Sequence, residues 1–131
     1  MNKICAVIPA YNEEKSLGHF LKKLKGYNID IIVIDDGSTD DTAEIAKSEN
    51  VFLIRRIVNE GKGKALRDGF QFALEKDYEL IITLDADGQH DPVEIPFFIK
   101  KINNGEAGIV IVFRQINNTL IIFTQAHISS G

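Results

Sequence analysis

The chain has 131 residues, 44% hydrophobic and 26% charged, the balance of an ordinary soluble globular protein with one domain. Its 15 Lys and Arg stand against 19 Asp and Glu, and a net charge of −4 gives no electrostatic basis for wrapping nucleic acid. No apolar run approaches the roughly 20 residues of a membrane helix and no signal-peptide layout opens the chain, so a location in the cytoplasm or at the cytoplasmic face of a membrane is expected, with any membrane contact peripheral or outside this chain.

The lone Cys5 lies in the apolar run Ile4 to Ile8, which predicts a first strand ended by Pro9 and a thiol that is a small buried strand residue. Leu17, Phe20, Leu21 and Leu24 then recur at the spacing of one buried helix face, closed by Gly26, with His19 at the surface. Ile29 to Ile34 is a second strand, apolar enough to be covered on both faces as in a parallel sheet. Ala43 to Ser48 is a short helix and Val51 to Ile54 a third strand. Leu66, Gly69, Phe70, Ala73 and Leu74 mark another helical stripe, and Leu80 to Leu84 a fourth strand. Asp91-Pro92-Val93-Glu94 has a helix cap, a first-turn proline and a capping-box glutamate, with Ile95, Phe98, Ile99 and Ile102 on the buried face and Pro96 as a kink. Ile109 to Phe113 is a fifth strand. Beyond Arg114 the pattern fades, leaving residues 115–131 as a truncated or irregular segment with one weak strand, Leu120 to Phe123. The alternation of strands and helices predicts an α/β fold with a doubly wound, mostly parallel sheet.

In open α/β sheets ligands bind beyond the carboxyl ends of the strands. Here the first strand runs into Pro9-Ala10-Tyr11-Asn12-Glu13, the second into Asp35-Asp36-Gly37-Ser38, and the third leads to Asn59-Glu60-Gly61-Lys62-Gly63-Lys64. The fourth runs into Asp85-Ala86-Asp87-Gly88-Gln89, so polar and acidic segments gather on one sheet edge. Asp85 and Asp87 repel one another unless a cation lies between them, and with Gln89 they offer the hard oxygens that suit Mg²⁺ or Mn²⁺ and a substrate phosphate. One carboxylate of Asp35-Asp36 can accept from a ribose hydroxyl or a base N–H, while Ser38 or Asp40 caps the next helix. The Gly61 to Lys64 segment either cradles phosphate with its backbone N–H groups and lysine charge or is a solvated basic turn before a helix. It is not a P-loop, since Val58 and Ala65 stand where that motif needs Gly and Ser or Thr. His90 has no partners at zinc-ligand spacing but could orient the acidic loop, and no Gly-x-Ser-x-Gly frame surrounds Ser38.

Four segments occur in this order: Val7-Ile8-Pro9-Ala10-Tyr11-Asn12-Glu13-Glu14, Asp35 to Thr42, Asn59 to Ala65, and Asp85-Ala86-Asp87-Gly88-Gln89-His90-Asp91-Pro92. Together they resemble family-2 glycosyltransferases, above all the dolichyl-phosphate and polyprenyl-phosphate sugar transferases, over residues 3–114. The resemblance implies the GT-A fold with Rossmann-like topology, a nucleotide-sugar-binding domain over 1–114, and inverting transfer of a hexose from a GDP-mannose or UDP-glucose type of donor. By the same resemblance Pro9, Tyr11 and Glu13 line the nucleotide pocket, and Ile34 and Asp36 contact base and ribose. Lys64 and Ala86 belong to the donor site, while Asp85, Asp87 and Gln89 hold the metal. Asp87 and Arg114 are the catalytic candidates, with Arg114 following the fifth strand and contacting donor phosphate. Val112-Phe113 replaces the family's usual Gly-Ser before that arginine, and the acceptor-binding half is expected beyond it.

The chemistry fits that assignment. Charge grows on the departing nucleoside diphosphate, where a metal and an arginine stabilise it. A polyprenyl or dolichyl phosphate acceptor is already anionic and needs no strong general base; that no Asp follows Asp91 to serve a hydroxyl acceptor favours either such a phosphate acceptor or an incomplete enzyme. Two other functions share some of these residues: a nucleotide-sugar binding module without transfer, and a phospho-receiver domain, whose acidic-loop spacing fits poorly.

Overall fold

The computed structural model describes residues 4–78, 80–84 and 86, and the backbone of 114–116 and 119–123. The predicted helix starting at Asp91 and the strand over 109–113 lie outside the described residues. In chain order the elements are β1 (Ile4–Ala10), α1 (Leu17–Lys25), β2 (Asp30–Asp36), α2 (Thr42–Ser48), β3 (Phe52–Arg56), α3 (Lys62–Glu75), β4 (Leu80–Thr83), β5 (Arg114–Ile116) and β6 (Thr119–Phe123).

The strands form one sheet in the order β3-β2-β1-β4-β6-β5, with β3, β2, β1 and β4 parallel and β6 antiparallel to both β4 and β5. The weak strand expected at Leu120 to Phe123 is thus a sheet member beside β4. Arg114, expected just past a strand, is instead the first residue of β5 and is in register with Ile121.

Strand alternation divides the core into two layers. Ala6, Ile8, Ile31, Val33 and Ile82 face Leu17, Phe20, Leu21 and Leu24 of α1 and Ala46 of α2. Cys5, Val7, Ile32, Ile34 and Ile81 face Ala65 and Ala73 of α3. The whole predicted α1 stripe is buried, His19 is exposed, and Cys5 is buried in β1. Helices cover both faces, which explains the unbroken apolar runs of β1 and β2.

Of the predicted α3 stripe, Gly69 and Ala73 are buried and Leu66 and Phe70 pack partly buried against the core; Ala65 joins that face, whereas Leu74 is 54% exposed. A small-residue face lets α3 sit close on the sheet, and Gly69 marks the closest approach. A Cβ there would lie 2.7 Å from Cδ1 of Ile34 and nearer still to Cγ1 of Val7.

The connections fix the position of the site. From β1 the chain steps outward through α1 and α2 to β3; α3 then carries it across the opposite face to β4 on the other side of β1. The winding reverses between β1 and β4, leaving a crevice beyond their carboxyl ends. Gly69→Val should lower the unfolding free energy by about 1–3 kcal/mol through overpacking. Denaturant titration checks this, and an unchanged midpoint would mean the interface between α3 and β1 is looser than described.

Candidate functional site

An open cleft of about 370 Å³ lies at this switch point, lined by Pro9, Ala10, Tyr11, Glu13, Asp36, Asn59, Gly61, Lys62 and Ala86. Its walls come from the segments after β1, β2, β3 and β4. Of the sequence-predicted residues it brings together Pro9, Tyr11, Glu13, Asp36 and Ala86. Tyr11 is 46% exposed and presents a ring to whatever enters.

Alternation along β2 determines which aspartate faces the cleft. Asp35 follows Ile31 and Val33 onto the α2 side, where its Oδ1 accepts from the Ser38 N–H at 3.2 Å. Its Oδ2 lies 3.8 Å from Nε of Arg55, which also approaches Glu44 of α2. Asp36 follows Ile32 and Ile34 onto the α3 side and is 3% exposed. Its carboxylate accepts from the backbone N–H of Glu60 at 3.2 Å and of Gly61 at 2.9 Å, and Oδ1 lies 3.1 Å from Nε of Arg56. Asp36 therefore supports the cleft wall from beneath as well as lining it.

Two expected positions fall elsewhere. Ile34 is fully buried under α3, so its side chain supports the site from within the sheet. Lys64 lies in the first turn of α3 and pairs with Glu60 at 3.4 Å, while Lys62 lines the cleft. The segment forms the first turn of α3, which starts at Lys62. Ala10 and Asn59 were missed as lining residues, with no sequence signal beyond membership of the segments that follow strands, whereas Gly61 and Lys62 belong to the segment weighed as a phosphate cradle.

Polar ties join the loops around the cleft. Asn12, in a left-handed conformation that asparagine tolerates, donates its N–H to Ser38 Oγ at 2.9 Å. Its Oδ1 accepts from the Thr39 N–H at 2.9 Å. Glu13 donates its N–H to Thr42 Oγ1 at 2.9 Å, and Asp41 donates its N–H to Glu14 at 3.1 Å. Asp40, rather than Ser38, accepts from the Thr42 N–H opening α2, at 2.9 Å. Ser16 Oγ donates to the Ala86 carbonyl at 2.7 Å, and the Leu84 N–H donates to Val7 at 3.3 Å. These two bonds hold the exit of β4 against β1 and against the start of α1.

Gly37 makes another close approach possible. Its φ is +73°, and a Cβ there would fall 2.6 Å from the Val58 carbonyl carbon and closer to the Asn59 nitrogen. Only glycine lets the backbone after β3 lie against the turn after β2.

Asp85, Asp87 and Gln89 lie outside the described residues. Among the described residues no group of three or more His, Cys, Asp or Glu is placed to hold a metal ion. Ala86, the chain neighbour of both aspartates, lines the cleft. The backbone of Arg114 is two strands from β4, roughly 10 Å at ordinary strand spacing, and level with Ile82 through Ile121. No helix among the described residues is long and apolar enough to cross a membrane.

The family model for glycosyl transferase family 2 matches residues 5–128. The chain belongs to that family. A relative in Micrococcus luteus, an undecaprenyl-phosphate mannosyltransferase, is 31% identical over 121 residues, covering 87% of this chain and 49% of the relative. Another, the UDP-N-acetylglucosamine–dolichyl-phosphate N-acetylglucosaminyltransferase of Methanococcus voltae, is 35% identical over 132 residues, with 87% and 53% covered. This family-2 chain spans about half the length of these curated relatives. The glucosyl-3-phosphoglycerate synthase of Mycobacterium tuberculosis, solved with Mn²⁺, UDP and glucosyl-3-phosphoglycerate, superposes with a TM-score of 0.67 at 25% identity. The match covers 86% of this chain and 43% of the synthase, and the shared fold is GT-A.

Two outcomes follow for the site. Gly37→Ala should destabilise the chain by about 1–3 kcal/mol, because it combines strain with a backbone clash; a thermal melt at wild-type temperature would contradict the contact. Burial alone would raise the Asp40 carboxyl, but hydrogen bonds from the Thr42 hydroxyl and from the N–H groups of Thr42, Glu14 and Asp40 itself hold it below the ordinary 3.8. The unfolded chain then binds this proton more readily than the folded one. The stability contributed is complete above 3.8 and is lost as pH falls through the lower folded value. The stability gap between wild type and Asp40→Asn should therefore shrink from about pH 7 to about pH 2, as read by denaturant titration at each pH; a constant gap would rule out the assigned bonds.

Proposed function

We propose that the cleft binds the nucleotide-sugar donor of a metal-dependent, inverting hexosyltransferase whose acceptor is a polyprenyl or dolichyl phosphate. The carrying observation is the meeting of Tyr11, Asp36, Lys62 and Ala86 at the point where the winding of the sheet reverses. Tyr11 offers a ring face for a base, and the carboxylate of Asp36 offers an acceptor for ribose or base N–H and O–H groups. Pro9, Glu13 and Ala86 shape the pocket beside them, with Ile34 as their buried support. Lys62 at the cleft and Lys64 one turn-edge away supply positive charge toward a diphosphate.

Asp85, Asp87 and Gln89 are the residues that would hold Mg²⁺ or Mn²⁺, a set of hard oxygen donors. The exit of β4 supports this, because Ala86 is both a cleft residue and fixed by Ser16. When bound, such an ion supplies Lewis-acid stabilisation of the leaving diphosphate. Asp87 and Arg114 are the proposed catalytic residues, Arg114 as a cationic contact for donor phosphate. The names of the two transferase relatives favour a lipid-phosphate acceptor, which enters already ionised. The Mn²⁺ and UDP bound by the mycobacterial synthase favour a metal and a nucleotide in this fold. Contact with a membrane surface would be peripheral and would serve to meet a lipid acceptor.

Calorimetric titration with GDP-mannose and UDP-glucose, with and without MnCl₂, tests the donor site. At least one donor should bind about tenfold or more tightly with Mn²⁺, a difference of about 1.4 kcal/mol, and Asp87→Ala should remove that gain. Retention of the full Mn²⁺ gain by Asp87→Ala would refute the metal assignment.

A further inference from the structure

The parallel register of β2 and β3 sets Asp35 beside Arg55 and Asp36 beside Arg56. The first pair faces α2, with Arg55 about half exposed; the second faces α3, with Arg56 mostly buried. Arg56 meets three carboxylates, one from each part of the chain around it. Nε lies 3.1 Å from Asp36 Oδ1 without its N–H aimed there, so this contact is an ion pair rather than a hydrogen bond. One terminal nitrogen donates to Glu60 at 2.7 Å, and the other donates to Asp68 of α3 and at 3.5 Å to the Lys64 carbonyl.

We infer that Arg56 is a positioning residue for the nucleotide cleft. The inference rests on the proposed donor site and adds a role that does not require Arg56 to touch the donor, since it is not among the lining residues. It acts through two contacts. By holding Asp36 it fixes the carboxylate that accepts from the N–H groups of Glu60 and Gly61. By holding Glu60 and Asp68 it ties that same loop to α3. Asn59, Gly61 and Lys62, the cleft residues on this segment, are thereby set against Asp36. A planar guanidinium with five donors can span three carboxylates in different directions, whereas an ammonium of the same charge cannot.

The test uses the 131-residue chain with Arg56→Lys, Arg56→Gln, Asp36→Asn and the Arg56→Gln/Asp36→Asn double variant. UDP and GDP are titrated calorimetrically in MnCl₂ well below each melting temperature. Arg56→Lys should melt cooperatively and bind about tenfold more weakly, and the amides of Glu60 and Gly61 should exchange hydrogen faster in the ligand-free variant. The double variant should lose less than the product of the two single losses, because the two changes share one support, the Arg56–Asp36 pair. If Arg56→Gln fails to fold, an Arg56→Lys/Asp36→Asn pair completes the cycle. Wild-type affinity in Arg56→Lys, or losses that multiply in the double variant, would overturn the inference while leaving the donor site intact. Absence of UDP and GDP binding by the unsubstituted chain would overturn the donor site and this role with it, whatever the amide exchange shows.

Discussion

The Asp36 carboxylate is the contact on which the site depends. It is buried at the carboxyl end of β2, where an unpaired charge would be costly, and it is satisfied by two backbone N–H groups and an arginine. The N–H donors come from the segment between β3 and α3, so meeting the needs of one side chain also fixes the course of a loop more than 20 residues away in sequence. Gly37 is the steric counterpart. It lets the two backbones come close enough for those bonds to form.

This contact lies where the fold has already concentrated chain ends. The winding reverses between β1 and β4, opening a crevice beyond their carboxyl ends, and the segments after β2 and β3 close its sides. Each segment is then fastened to another: Asn12 to Ser38 and Thr39, Glu13 to Thr42, Ser16 to Ala86, and Asp36 to Glu60 and Gly61. Preorganisation of this kind reduces the ordering cost when a ligand enters. It also places the polar walls of the cleft on a rigid, apolar sheet.

Much of the fold was legible because burial leaves a periodic record. The runs Ile4 to Ile8 and Ile29 to Ile34 read as strands, the second as covered on both faces, and Leu17, Phe20, Leu21 and Leu24 as a helix face; all proved buried apart from Ile4, which is partly so, and Asp30, which is exposed. The α3 stripe was less legible. Gly69, Ala73, Leu66 and Phe70 lie on the expected face, but Ala65 carries little hydrophobic signal and was not in the stripe, while the larger Leu74 was and is exposed. The cleft was legible as a set of segments after strands, and five of its nine lining residues were anticipated. Which lysine faces it was not, because that depends on where the first turn of α3 begins. The ties of Asp36 and Asn12 were equally hidden. A polar side chain's distant partner is set by loop geometry and leaves no period in the sequence.

The central claim is that a nucleoside diphosphate and a divalent cation occupy the cleft between β1 and β4. A crystal structure of the chain grown with UDP and MnCl₂ tests it most directly, through anomalous scattering from manganese. The account predicts the base against Tyr11 and Asp36, and a manganese peak beside Asp87. Nucleotide density instead in the cleft of about 410 Å³ at the opposite end of the sheet, against Asn50, Val51 and Phe52, would contradict it.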